Sequence, residues 1–337
     1  MPMFTVDGIS SSGIWEIFKD PHNKRERGVV DYSPLEGCPT TRRAFAAEAG
    51  CLPPSTQPWH LLVPDPDLRF FRKRYAYTSC IQPLPLSSFI YVRENVCMTV
   101  PELNFVQQAR NLSLPALIAY GCELCGTYTR ACTPNGLHIK RREPLCTLDS
   151  LGKYIDSVPY IFGAQKAKAA LAHIVEGAAS PRETMLTLAL CLPAKLGGYG
   201  LPMPTVNKRV DFDQRAQLLA GHSYAMCDLG WEHVAVEYNG AEWHAGYEGA
   251  GRDRARANAL RHMGVQTITV TKEMFDDEAC LAAVASDVAG ALGVRMRTRV
   301  PDAEARRHKL HTELLGLWKL PVFQTLAITD DMRDFWS

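Results

Sequence analysis

The sequence predicts an α/β protein in two parts, a smaller N-terminal α/β domain followed by a mixed sheet flanked by helices. Three observations carry that expectation. At 337 residues the chain has room for two ordinary domains. Between Trp59 and Val100 the runs WHLLV, SFIYVR and VCMTV are rich in β-branched and aromatic residues and short enough for strands, and two helix-like stretches follow them. From Ser180 onward a capped helix gives way to the strand-like segments TVNKRVDF, SYAMCDLG and HVAVEYN, then a helix, a strand and another helix. That α-β-β-β-α-β-α order builds a compact mixed module.

In chain order, residues 1–145 form the predicted N-terminal domain. TTRRAFAAEAG, from Thr40 to Gly50, has a threonine cap, helix formers and a terminal Gly, and the Pro-rich CLPPSTQP after it must be a loop. After the strands, PELNFVQQARN begins a helix with Pro101 at its first position, and LSLPALIAYGCELCGTYTR reads as a second helix reaching Arg130. Residues 146–179 read as a helical connector, with one helix capped by Thr147 and another along IFGAQKAKAALAHIVEG. Residues 180–300 form the second domain. Its first helix has Ser180 as N-cap, Pro181 at N1, Glu183 in a capping-box position and the Gly197-Gly198 pair as its C-cap. Residues 301–337 are read as a basic helix and an acidic tail, and no internal repeat is visible.

With 37 Lys and Arg against 36 Asp and Glu the net charge is +1, so no global field drives the chain onto nucleic acid, and such binding would need a local basic face. No apolar run approaches the roughly 18 residues of a membrane span, and the N-terminus lacks the pattern of a signal peptide. Eleven cysteines, an odd number, are scattered through core-like segments such as LTLALCLPAKLG and DEACLAAVASDV. That usage suits reduced thiols and a cytoplasmic location rather than a disulfide framework.

The candidate chemistry lies between Tyr224 and Val270. Asp228 and Glu237 sit on consecutive strand-like segments, His244 follows a Gly-containing turn, and a basic helix with Arg252, Asp253 and Arg256 comes next. Side chains alternate along a strand, so Glu237 lies with Ala235 and Asn239, and Asp228 with Tyr224 and Met226. A two-residue turn at Trp231-Glu232 or Glu232-His233 pairs residues whose numbers add to an odd value. Asp228 and Glu237 then fall on one face, on the order of 5–8 Å apart at Cβ. Two carboxylates at that separation suit one divalent cation held against a phosphodiester. The plainer readings are turn chemistry for Asp228 and a solvated edge position for Glu237. Against them, VAVEYNG places a charge in an otherwise apolar strand, where it needs a partner or a metal.

Taken together, SPRETMLTLAL, YAMCDLGWEHVAVEYNGAEWH and GRDRARANALRHMGVQTITVT resemble the very-short-patch-repair-like branch of the PD-(D/E)XK nuclease superfamily, over roughly residues 180–292. In that branch a helix Glu, a strand Asp and a Glu-x-Asp-Gly-x-x-x-His string precede a helix with an acid and basic residues. The resemblance matches Glu183 to the helix Glu, Asp228 to the strand Asp, Glu237 to the second carboxylate and His244 to the histidine. Asp253 and Arg256 match the following helix. It implies a restriction-endonuclease-like mixed sheet and a Mg²⁺-dependent endonuclease acting on DNA, with Mn²⁺ as an alternative ion. Asp228 and Glu237 are then metal ligands, and Glu183 is a further ligand or an orienter. His244 acts as general base or hydrogen-bonds the phosphate, and Arg252 or Arg256 stabilises developing charge. Asn239 stands where the superfamily has lysine and this branch more usually Asp. Its carbonyl can ligate a metal, but it supplies neither charge. That departure keeps a second expectation open, a nuclease-like domain that binds DNA as a regulator without cutting it.

The N-terminal part is similar, more faintly, to AbiEi-type antitoxin and regulator proteins, and a protein partner for this part is a third reading. Cys122, Cys125 and Cys132 with His138 form a weak zinc pattern, since structural zinc sites more often show two regularly spaced pairs, and buried thiols are the plainer reading. The basic run in DAEARRHKLH reads as a solvated helix face or a phosphate contact. GYEGAG lacks the lysine a P-loop requires, and no Gly-x-Ser-x-Gly elbow is present.

Overall fold

A computed structural model describes residues 4–6, 33–48, 52, 58–71, 73–93, 95–133, 136–239, 247–296 and 300–319, and the chain divides into the units Met1–Ile174 and Val175–Lys319. Both are α/β, as the sequence predicts. In the first, β1 (Phe4–Val6), α1 (Arg42–Glu48), β2 (Trp59–Val63), β3 (Tyr75–Ser79), β4 (Phe89–Arg93) and β5 (Val96–Thr99) build a five-stranded sheet ordered β3-β2-β1-β5-β4. Pairing is parallel for β1/β5 and β2/β3 and antiparallel for β1/β2 and β4/β5. Leu61, Leu62 and Val63 are all buried although they alternate in direction, so both faces of β2 are covered.

Next come α2 (Pro101–Gln108) and α3 (Leu114–Leu124), the latter started by Ser113, whose hydroxyl accepts the Ala116 N–H at 3.1 Å. Every residue from Ala116 to Leu124 is buried, as a helix apolar on all sides requires. The helix does not reach Arg130. It stops at Leu124, and the chain turns through Gly126 into an antiparallel hairpin of β6 (Tyr128–Thr133) and β7 (Gly136–Arg141). A buried ion pair accounts for the change: Glu123 at the end of α3 accepts from both the backbone N–H of Arg130 (3.2 Å) and its Nε (2.9 Å).

Thr147 and Ser150 cap α4 (Leu148–Ser157) reciprocally, and α5 (Ala164–Leu171) follows. These two helices pack on α2 and α3. Both helices of the expected connector therefore belong to the first unit, the boundary lies at Ile174, and this unit spans more of the chain than the second rather than less.

The second unit begins with α6 (Pro181–Cys191), started by Ser180 as expected. Its end differs from the expectation. Leu192 closes α6 in an extended conformation because Pro193 follows, and Gly197, at φ 94°, closes the short turn Ala194–Leu196 instead. After β8 (Thr205–Asp211) comes α7 (Gln214–Ala220), a helix the sequence reading missed, with Asp213 as its N-cap and Gly221 at φ 72° as its C-cap. Then follow β9 (Tyr224–Gly230), β10 (Val234–Asn239), α8 (Tyr247–His262), β11 (Gln266–Thr271), α9 (Lys272–Asp276), α10 (Glu278–Ala291) and α11 (Ala303–Lys319).

The sheet order is β11-β10-β9-β8: an antiparallel meander of three strands, with β11 added parallel to β10 after the α8 crossover. Ala225, Cys227 and Ala235 pack with Ala216, Ala259 and Leu260 on the α7 and α8 side. Val234 and Val236, which alternate with Ala235, are equally buried, so the sheet is covered on both faces. Helix α11 docks on α6 and on the turn closed by Gly197, which places the first part of the expected tail inside this unit. Among the described residues no helix is long and apolar enough to cross a membrane.

Candidate active site

The site begins at the first turn of α6. Ser180 Oγ accepts the Glu183 N–H at 3.2 Å and donates to Glu183 Oε1 at 2.8 Å. Glu183 Oε2 accepts the Ala179 N–H and the Asn207 amide, each at 2.8 Å. Asn207 lies on β8, where regular pairing with β9 skips from Val206↔Leu229 to Lys208↔Cys227. Its φ of 50° is in the left-handed region, which Asn tolerates better than most residues. The same amide donates to the Gly177 carbonyl at 2.8 Å, so Asn207 ties the start of α6 to the sheet.

Trp231 N–H donates to the Val234 carbonyl at 2.8 Å, and Gly230 pairs with Ala235 and Leu229 with Val236. The turn is therefore Glu232-His233, one of the two placements the pleat argument allowed. At Asp228 and Glu237, one step further along, the ladder changes character. Asp228 Oδ2 accepts the Tyr238 N–H at 2.7 Å, so a carboxylate stands where a strand carbonyl would otherwise accept. Glu237 instead meets α8: Arg256 Nη2 donates to its Oε1 at 2.7 Å and also to the Met226 carbonyl. The two acids are near enough for the Asp228 charge to act on Glu237, and each is held by its own donor.

Burial first of all lifts the Glu183, Asp228 and Glu237 carboxyls above the usual carboxylate range. Hydrogen bonds from Ala179, Ser180 and Asn207 pull Glu183 back, while the Asp228 charge pushes it up. For Asp228 the Tyr238 N–H and Arg256 oppose burial, and for Glu237 Arg256 opposes both burial and Asp228. The neighbouring Cys227 thiol is pushed up to about 12, by burial first and then by the Glu237 charge. The Asp228 charge raises both Glu183 and Glu237, and these largely buried carboxyls leave a local demand for positive charge, which Arg256 meets in part.

Among the described residues, no group of three or more His, Cys, Asp or Glu side chains is arranged to hold a metal ion. Glu183 has donors on both oxygens and fits an orienting role better than ligation. Asp228 and Glu237 match the one or two carboxylates on which Mg²⁺ relies when water and phosphate oxygens complete its shell. Asn239 ends β10, is exposed, and pairs with Thr271. Asp253 lies exposed on α8; Arg252 is on the same helix, with its side chain outside the described residues, and His244 falls outside them altogether.

Two site residues were missed in the sequence. Asn207 left no local signal, because its task is to bridge a strand and a helix start. Arg182 had a faint one, a cation in a helix's first turn, where the dipole disfavours it. It is buried, with its guanidinium 5.6 Å from the Tyr238 ring centre, 5.8 Å from that of Phe275, and 3.5 Å from Asp276 Oδ1.

The other candidates resolve less favourably. Cys122 and Cys125 are buried, and the Cys125 sulfur lies 3.9 Å from that of Cys146, a residue outside the zinc pattern; the Cys132 and His138 side chains fall outside the described residues. The basic run on α11 is not simply a solvated face: Arg306 donates to the Lys195 carbonyl at 3.0 Å, Arg307 lies over Tyr199, and His308 meets Glu278 at 2.6 Å. Comparisons with family models, with curated proteins and with solved structures find no match to this chain.

Proposed function

We propose that the second unit is a metal-dependent phosphodiesterase that cleaves DNA as an endonuclease. The observation that carries the reading is the nearness of Asp228 and Glu237 where the β9–β10 ladder opens, with the Asp228 charge acting on Glu183 as well, all three carboxyls raised by burial. The helix, meander and crossover order gives further support to the resemblance to PD-(D/E)XK nucleases, on which the choice of DNA rests.

In this reading Asp228 and Glu237 hold Mg²⁺ or Mn²⁺, and Glu183 keeps the start of α6 in register with them. When bound, the ion supplies Lewis-acid stabilisation of phosphoryl charge and a water of lowered pKa. Tyr238 N–H fixes the Asp228 carboxylate. Arg256, released from Glu237, offers its N–H groups to phosphate oxygens as charge develops. His244 takes the role of general base. A cytoplasmic location fits the described cysteines, whose thiols are not joined in disulfides.

A second reading, a DNA-binding regulator that does not cut, is favoured by the Arg256–Glu237 ion pair and the neutral Asn239. Incubation of plasmid and single-stranded DNA with Mg²⁺ or Mn²⁺ separates the two. The nuclease reading expects ion-dependent cleavage by the wild type and none by Asp228→Ala. If neither protein cuts while both bind DNA equally, the regulator reading replaces it.

A further inference from the structure

The first unit carries a polar pocket that the nuclease reading does not use. It has a volume of about 200 Å³ and lies beside β3, at the edge of the five-stranded sheet, where the segment leading into that strand meets the C-terminal end of α2. Arg69, Thr78, Ser79, Gln108, Arg110 and Asn111 contribute to its lining, and no carboxylate does. Arg69 Nη2 donates to Ser79 Oγ at 2.8 Å, while its Nε is buried without a hydrogen-bond partner. Arg110 lies over the Phe162 ring at 5.1 Å, a contact that holds a cation without neutralising it. Neither guanidinium has an ion-pair partner among the described residues, although Asp65 and Asp67 are close to Arg69 in sequence.

Two uncompensated guanidiniums facing one cavity repel each other, and a doubly charged oxyanion between them turns that repulsion into attraction. We propose that this pocket binds a phosphomonoester. Arginine forks match phosphate oxygens in pairs. The hydroxyls of Thr78 and Ser79 and the amides of Gln108 and Asn111 offer donors for the remaining lone pairs. The largely polar lining, which Tyr77 and Gln107 complete, has no carboxylate and so disfavours cations. Drug-sized ligands usually occupy roughly 300–1,000 Å³. The smaller cavity therefore suits a phosphate with little more than a sugar attached, which is either a small phosphorylated metabolite or the 5′-phosphate end of a nucleic-acid strand.

Calorimetric titration of the full chain tests this with inorganic phosphate, ribose 5-phosphate, and a short oligonucleotide carrying either a 5′-phosphate or a 5′-hydroxyl. Saturable binding of phosphate or ribose 5-phosphate is expected, weakened about tenfold or more by Arg69→Gln and by Arg110→Glu through loss of a paired guanidinium contact. Because Arg110 is exposed, its variant is expected to fold, which an unchanged melting temperature without ligand checks. Tighter binding of the 5′-phosphorylated oligonucleotide than of its hydroxyl form, lost in Arg110→Glu, assigns the pocket to strand ends. Equal binding of the two, with ribose 5-phosphate still bound, assigns it to a small metabolite. Absence of saturable binding of both phosphate and ribose 5-phosphate by the wild type, or affinity unchanged in both variants, overturns the proposal. The outcome is independent of whether the second unit cleaves DNA.

Discussion

Replacing Arg256 with methionine removes the guanidinium that holds Glu237 while keeping most of the side-chain volume on α8. In the wild type the Arg256 and Glu237 side chains are 34% and 16% exposed and 2.7 Å apart. A hydrogen bond to a charged group contributes about 1.5–3 kcal/mol. The partial exposure of Arg256 discounts this to about 1–2 kcal/mol. For a unit of this size that corresponds to a fall of about 3–7 °C in Tm near neutral pH. The pH dependence follows from the sign of the shift. Burial and Asp228 hold the folded Glu237 carboxyl above its ordinary value, and Arg256 partly corrects this. A raised carboxyl contributes stability that is present below the unfolded pKa and lost as pH rises through the folded one. Without Arg256 the folded value climbs further, so the loss at neutral pH deepens. Below about pH 4 Glu237 is protonated with or without Arg256, and the gap narrows to what the Arg256 contact with the Met226 carbonyl contributes. Thermal unfolding followed by circular dichroism across this range, with Glu237→Gln and the double variant completing a cycle, measures the effect. A gap that stays constant with pH, or that persists unchanged in the Glu237→Gln background, refutes the reasoning. If Mg²⁺ and Arg256 compete for Glu237, the ion also stabilises Arg256→Met more than the wild type.

Glu183→Ala leaves the Ala179 N–H, the Ser180 hydroxyl and the Asn207 amide without their shared acceptor. Urea unfolding should show a loss of about 2–4 kcal/mol, with Glu183→Gln recovering part of it, and a loss below about 0.5 kcal/mol rules out the orienting role. Gly197→Ala forces a side chain onto φ 94° and drives its Cβ into the Arg306 carbonyl oxygen. The expected cost is about 1–3 kcal/mol. Faster amide hydrogen exchange across α11 should accompany it, and unchanged exchange there defeats the account of how α11 docks.

The sequence by itself determined whatever depends on near neighbours. Ser180, Pro181 and Glu183 announced the start of α6 because a helix cap is made by residues three apart. The Glu232-His233 turn was one of the two placements the pleat allowed, but regular pairing ends at Leu229–Val236, and beyond it Cys227 rather than Asp228 packs on the Ala235 side. Helix α7 was legible in the same way, through Asp213 and Gly221, and was passed over because its seven residues sit between two stronger strand patterns. The tertiary structure alone decided the rest. Helix α3 ends where it does because Glu123 finds Arg130 in the following strand, and α4 and α5 join the first unit because their buried faces meet helices well upstream. At the site, Arg256 reaches Glu237 across the crossover, and Asn207 reaches Glu183 from another strand. Periodicity records which way a side chain faces, whereas the identity of its partner depends on how distant segments stack, and no local pattern encodes that.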